Sequence, residues 1–218
     1  VIGEAAAAPL GGIILAGGQS RRMGQPKALL RLTPTGPTLI ELALAALHTV
    51  AAEVIVVTNT PASYAFLGCR MAADQFPGLG ALAGIQAGLA ASVHAHNMVV
   101  ACDMPFLNPA LLAALAAEPR DYDVLIPRRA DGELETLHAI YSRACLGPIT
   151  EQLRAGGGRV IGFYPQVRVR YLDEPWLRRY DPALRSFDNV NTPAELAAAR
   201  GGLPPAVDHQ PPEAGRRD

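Results

Sequence analysis

The sequence predicts a three-layer α/β fold around a mostly parallel sheet. Two patterns carry that expectation. Short unbroken apolar runs, which suit strands buried on both faces, recur along the chain. Ala/Leu-rich stretches of helical length separate them. Size adds a third observation: 218 residues fit one domain with an interior large enough to need no cross-links.

The elements follow in order. Residues 12–16 form an apolar run that ends in Gly17-Gly18, as a buried parallel strand would. Residues 38–48 place Leu39, Leu42 and Leu47 at helical spacing. Residues 54–57 predict a second strand, and Thr60-Pro61 has the form of a helix start, with Thr as N-cap and Pro in the first turn. Residues 70–73 suit a short third strand. Residues 81–92 read as a helix introduced by Pro77-Gly78-Leu79-Gly80. Residues 98–101 predict a fourth strand, with Asp103 just past its end. Asn108-Pro109 opens a helix to about Ala117, and residues 124–127 predict a fifth strand. Residues 128–132 read as a turn into 137–141. Gly156-Gly157-Gly158 interrupts 152–161, so a helix is expected to end there, and residues 167–171 alternate as an edge strand does. Thr192-Pro193-Ala194-Glu195 reads as a capping box before a last helix to about Arg200. The expected organisation is a flexible N-terminus at 1–10, one domain at 11–200 and a disordered Pro-rich tail at 201–218.

Composition narrows the functional classes. Nineteen basic against 20 acidic residues leave a net charge of −1, which excludes a broad basic surface and makes nucleic acid an unexpected partner. No apolar run reaches the length of a membrane span, and the first ten residues lack the basic start of a signal peptide. The expected location is cytoplasmic, without a membrane partner. Cys69, Cys102 and Cys145 are odd in number and show no C-x-x-C spacing, so reduced thiols are expected rather than disulfides or a structural zinc.

In sheets of this kind, ligands collect beyond the carboxyl ends of the strands. That rule gathers the segment from Gly17 to Lys27, Thr58-Asn59, Asp74 and Asp103 on one edge. The strongest signal is Leu15-Ala16-Gly17-Gly18-Gln19-Ser20-Arg21-Arg22-Met23-Gly24-Gln25-Pro26-Lys27. Its glycines let a backbone approach a ligand closely, and its cations suit a triphosphate. Of the 19 basic residues 18 are arginine, and the single lysine, Lys27, falls inside this loop. A tight turn with solvent-facing arginines is the plainer alternative, and the only lysine tips the balance toward phosphate. The loop is neither a Walker motif nor a dinucleotide fingerprint. In Cys102-Asp103-Met104-Pro105, a carboxylate at a strand end can ligate Mg²⁺ or merely cap a turn, and the shared edge favours the metal. Cys102 is expected in the core rather than as a nucleophile. Ser20 has no evident base partner. His94 and His96 lack a third metal ligand, and His138 is expected to be a satisfied core histidine. Arg128-Arg129 and Arg178-Arg179 are expected on solvated faces.

Five segments in a fixed order give a more specific signal: the Leu15–Lys27 loop; Asp74 with Pro77-Gly78-Leu79-Gly80 and Leu82-Ala83-Gly84; Cys102-Asp103-Met104-Pro105-Phe106; Leu137-His138-Ala139-Ile140-Tyr141; and Asn189-Val190-Asn191-Thr192-Pro193. In this order the chain resembles the molybdenum cofactor guanylyltransferase family of the nucleotidyltransferase superfamily, from about Gly12 to Arg200. It departs from the family pattern at Pro26, Ala81 and Thr136. The resemblance implies a Rossmann-like nucleotidyltransferase fold and transfer of GMP from GTP to Mo-molybdopterin, with release of pyrophosphate. It implies that Leu15, Ala16, Gly17 and Gly18 hold GTP through the backbone, and that Lys27 and Arg22 meet its phosphates. Asn59, Asp74 and Gly80 would hold the base and ribose. Asp103 would bind Mg²⁺, and Asn189 and Asn191 would contact molybdopterin. A molybdenum-insertion protein and apo-molybdoenzymes are the implied further partners. Two other readings stay open: a related transferase using CTP or a sugar or polyol phosphate, and a non-catalytic GTP-binding scaffold that delivers cofactor.

Overall fold

A computed structural model describes residues 9–17 and 26–201. Gly18 and Arg22 lie outside the described residues, as does most of the expected N-terminal stretch and tail. The described end of the N-terminal stretch is packed: Leu10 is buried, and its carbonyl accepts from Ala52 N–H at 2.8 Å.

The strands are β1 (Gly11–Leu15), β2 (Glu53–Val57), β3 (Arg70–Ala72), β4 (His96–Ala101), β5 (Val124–Arg128), β6 (His138–Ser142) and β7 (Val169–Asp173). The α-helices are α1 (Leu39–Leu47), α2 (Ala81–Ala91), α3 (Pro109–Ala117), α4 (Leu146–Arg154), α5 (Glu174–Leu177) and α6 (Pro193–Gly201). One seven-stranded sheet has the order β3-β2-β1-β4-β6-β5-β7. All of its pairings are parallel except those of β6, which runs against both β4 and β5. The reversal has a local cause. The link from β5 to β6 is a hairpin turning at Gly132, where φ is +86°, and is too short to carry a crossover helix.

Alternation along β1 explains the three layers. Ile14 packs on the face covered by α1 and α3, while Ile13 and Leu15 pack on the face covered by α2 and α4. Each fully buried aliphatic side chain of this kind contributes about 1.5–3 kcal/mol. Helix α2 lies very close to β1. A Cβ on Gly88 would come within 2.5 Å of Ile13 Cγ2, and one on Gly84 within 3.1 Å of Leu15 Cδ2. The two glycines, four apart on one helical face, permit that approach.

Local signals account for several boundaries. Thr38 and Glu41 form a capping box at α1. Asn108 caps α3 by accepting from Ala110 N–H at 2.9 Å. At α6 the expected box is rearranged: Thr192 Oγ1 accepts from Glu195 N–H at 3.2 Å, but the Glu195 carboxylate takes the N–H of Asn191 at 2.5 Å. The expected Thr60 cap is also corrected. Pro61–Leu67 is a 3₁₀ helix, and Thr60 gives it no side-chain cap. No helix among the described residues is long and apolar enough to cross a membrane.

Candidate active site

The chain leaves β1 for β2 and β3 on one side, then returns to β4 on the other. The crevice between the ends of β1 and β4 is therefore a topological switch point, where open α/β sheets bind ligands. The two ends are joined by Cys102 N–H donating to the Leu15 carbonyl at 3.2 Å. Ala16 N–H donates to Val57 at 2.9 Å, and its carbonyl lies 3.4 Å from the Tyr64 hydroxyl. Those groups of Leu15 and Ala16 are thus taken up by the framework, and Gly17 is the first exposed residue past β1.

On the β2–β3 side, Asn59 and Asp74 meet. Asn59 Oδ1 accepts from Asp74 N–H at 2.9 Å, and Asp74 Oδ1 accepts from Phe76 N–H at 2.7 Å. The following segment enters α2 through Gly78 and Gly80, with φ of +88° and +76°, a backbone region that glycine adopts without strain.

The glycine-rich loop leads into a 3₁₀ turn, Lys27–Leu29, anchored by buried Ala28 and by Leu39 N–H donating to Leu30 at 2.8 Å. From there the Lys27 ammonium reaches two other segments. It lies 3.6 Å from Asp103 Oδ2 and donates to Asn191 Oδ1 at 2.6 Å. The backbone joins the same two segments, since Val190 N–H donates to the Asp103 carbonyl at 2.9 Å. Burial pushes the Asp103 carboxyl up from its ordinary value, and the Lys27 ammonium opposes that rise. The structure thus brings together Lys27, Asp103 and Asn191. Asn189 is exposed, and its described hydrogen bond goes to the Phe187 carbonyl at 3.3 Å, not to that cluster.

Residues 12–168 match the MobA-like NTP transferase domain. The chain belongs to that family. A probable molybdenum cofactor guanylyltransferase of Pelotomaculum thermopropionicum is 43% identical over 189 residues, covering 87% of this chain and 91% of the relative. The molybdenum cofactor guanylyltransferase of Desulfosudis oleivorans is 38% identical over 193 residues, covering 88% and 95%. Among solved structures, the molybdopterin-guanine dinucleotide biosynthesis protein A of Archaeoglobus fulgidus superposes with a TM-score of 0.75 at 28% identity, covering 88% of this chain and 97% of that one. The expected nucleotidyltransferase fold is therefore the fold observed, and the chain is a nucleotidyltransferase of the MobA-like family.

A divalent cation fits the donor set of this MobA-like site. Asp103 Oδ2 and Asn191 Oδ1 already converge on one cation, the Lys27 ammonium. Among the described residues no three His, Cys, Asp or Glu side chains form a metal cage. Hard divalent cations are commonly held by one or two carboxylates with phosphates and water completing the shell, and Asp103 offers one such carboxylate.

The remaining motifs sort themselves by partner. The Cys102 thiol is pushed up to about 12 by burial, which removes it as a nucleophile. Cys69, Cys102 and Cys145 are all unpaired thiols. His96 Nε2 lies 3.3 Å from the Tyr122 carbonyl and His94 lies 3.9 Å from Glu53, so the two do not act as a metal pair. Arg128 is paired with Asp173 at 2.7 Å and Arg178 with Glu174 at 2.8 Å. His138 is buried as expected but is not satisfied. Among the described residues neither ring nitrogen has a hydrogen-bond partner, Phe187 meets it edge-on at 5.1 Å, and burial pushes its pKa down to about 4.

Two features of the site were missed in the sequence. Glu135, in the β5–β6 hairpin, is pushed up to about 7, chiefly by burial, with Arg129 at 3.6 Å opposing the rise. Its position in a turn rich in acidic residues gave no sign of burial. The second is the framework that holds Asn191. Buried Ser186 accepts from Asn108 N–H at 3.0 Å, and its own N–H donates to buried Asp181 at 2.8 Å. Asn108 Nδ2 donates to the Tyr180 carbonyl at 3.1 Å. Residues 180–191 are thereby fastened to the loop that follows Asp103. Nothing in their composition announces this, because the ties to Asn108 join residues more than 70 apart in sequence.

Proposed function

We propose that the chain transfers GMP from GTP to Mo-molybdopterin, forming molybdopterin guanine dinucleotide and pyrophosphate. The observation that carries this reading is the convergence of Lys27, Asp103 and Asn191. It joins the last residue of the glycine-rich loop, a carboxylate suited to a metal, and the C-terminal asparagine motif at one point. The names of the relatives at 38–43% identity support the same reaction and substrate pair.

The terminal phosphate of the pterin is the nucleophile. Its oxygen forms a bond to the α-phosphorus of GTP, the bond from that phosphorus to the bridging α,β-oxygen breaks, and the electron pair leaves with pyrophosphate. A phosphate monoester is largely ionised near neutral pH, so no side chain has to remove a proton. Positioning and charge then carry the catalysis. Gly17 and the glycines after it bring backbone N–H groups to the phosphates. Lys27, with Arg22, offsets charge growing on the leaving pyrophosphate. Asn59 and Asp74 act together at the nucleoside, with Gly80 beside them at the start of α2. Asn191, with Asn189 nearby in sequence, faces the acceptor. Asp103 would hold Mg²⁺, which supplies Lewis-acid neutralisation of phosphate oxygens when bound. A cytoplasmic setting, with hand-over of the product to a molybdenum-insertion protein or an apo-molybdoenzyme, completes the reading.

Pyrophosphate release with molybdopterin and GTP, CTP or ATP in parallel, with and without Mg²⁺, tests it. Release with GTP alone is the expected result. Release with CTP alone overturns the base assignment, and no release with any nucleotide overturns the reaction.

A further inference from the structure

The bond between Lys27 and Asn191 crosses the whole chain. It links the nucleotide loop to the segment before α6, and at 2.6 Å it has the length of a charge-assisted hydrogen bond. Its two ends differ in mobility. Lysine carries its charge on a flexible four-carbon stem. Asn191 is short, and its backbone is tied down on both sides, by Glu195 at 2.5 Å and through Val190 to Asp103 at 2.9 Å. The backbone of Asn191 is therefore held independently of the ammonium.

Nucleotide phosphates compete for that ammonium. They offer several formal negative charges, whereas among its described contacts Lys27 meets a carboxylate at 3.6 Å and a neutral amide. We propose that Asn191 sets the order of substrate binding: its amide oxygen is held by Lys27 until nucleotide phosphates draw the ammonium away, and only then does it receive the acceptor. The inference rests on the reading that Asn191 faces the acceptor. It adds that nucleotide binds first, and that Lys27 has a role in acceptor binding separate from its role in charge stabilisation.

The test is equilibrium binding of molybdopterin to the full chain, with and without saturating α,β-methylene-GTP, an analogue whose α,β-bond cannot be cleaved in the transfer. The analogue should tighten acceptor binding about tenfold, and the acceptor should tighten analogue binding by the same factor, because linkage is reciprocal. In Lys27→Met the analogue-free chain should bind the acceptor as tightly as the analogue-bound wild type does, and the coupling should vanish. Asn191→Ser, whose hydroxyl is too short to reach the lysine, should also lose the coupling, but at the weaker affinity. Wild-type affinity that ignores the analogue overturns the proposed order, and so does coupling that survives in either variant. If pyrophosphate is released while acceptor binding ignores the analogue, the order alone fails. If no acceptor binds in either arm and no pyrophosphate is released, the functional reading fails and takes this proposal with it.

Discussion

Glu135→Gln is expected to stabilise the protein at pH 7.5 and to leave it nearly unchanged at pH 4.5. The folded-state pKa of Glu135 stands at about 7 against an ordinary 4.5, and burial is the largest cause. Between those values the folded chain holds a proton that the unfolded chain has lost, so this residue's contribution falls as pH rises through the window. At about 1.4 kcal/mol per pH unit the full loss is about 3 kcal/mol, complete above pH 7. His138 acts in the opposite direction. Its folded pKa of about 4 lies below an ordinary 6.5, so the unfolded chain binds the extra proton and stability rises with pH across that interval. The two slopes oppose each other between pH 4.5 and 6.5. Glutamine is nearly isosteric and never ionises, so the variant should expose the histidine slope, gaining about 3 kcal/mol from pH 4 to 6.5. Urea melts at half-unit pH steps, analysed for the midpoint and its slope, would measure it. A variant whose stability differs from wild type by the same amount at every pH would refute the reasoning, because the burial cost would then not be one of ionisation.

Three further outcomes follow from the site and its scaffold. Lys27→Ala should lower the rate of pyrophosphate release by about 10²–10³, as loss of one charge-stabilising donor does, with the melting curve little changed. Normal turnover in that variant would remove Lys27 from the phosphates. Asp103→Ala should abolish the Mg²⁺-dependent part of turnover, whereas an unaltered Mg²⁺ titration would place the metal on another carboxylate. Gly88→Ala should destabilise the fold by about 1–3 kcal/mol, less the small gain in helix propensity, because its Cβ would stand 2.5 Å from Ile13 Cγ2. Denaturant unfolding checks this, and Ile13→Ala in the same chain should recover part of the loss.

The sequence was most legible where function depends on local pattern. Continuous apolar runs mark β1, β2 and β4 because parallel strands are covered on both faces, and the residues following them fall on one edge by topology alone. Lys27, Asp103, Asn59 and Asp74 could therefore be gathered before any coordinates. What stayed hidden depends on partners far apart in the chain. The start of α4 at Leu146 was missed because a short 3₁₀ turn, Arg143–Cys145, leads into it and Pro148 interrupts its first turn. The opposed direction of β6 depends on hairpin length rather than on side-chain pattern. The orphaned nitrogens of His138 were unreadable because satisfaction of a buried group is decided by what surrounds it.

The placement of Asn191 brings a C-terminal motif against the end of a glycine-rich loop near the start of the chain. On the binding order proposed above, the acceptor and phosphate positions are coupled rather than independent. Here one lysine supplies the connection. Its ammonium contacts Asn191 and Asp103 at once, while Val190 fastens those two segments to each other through the backbone. On that proposal, moving Lys27 changes the charge around Asp103 and the availability of Asn191 together. Fastening residues 180–191 by the buried Ser186 and Asp181 then has a functional reason beyond packing. Under the proposed order, a loose segment would let Asn191 follow the lysine, and nucleotide binding would then leave the acceptor side unaffected.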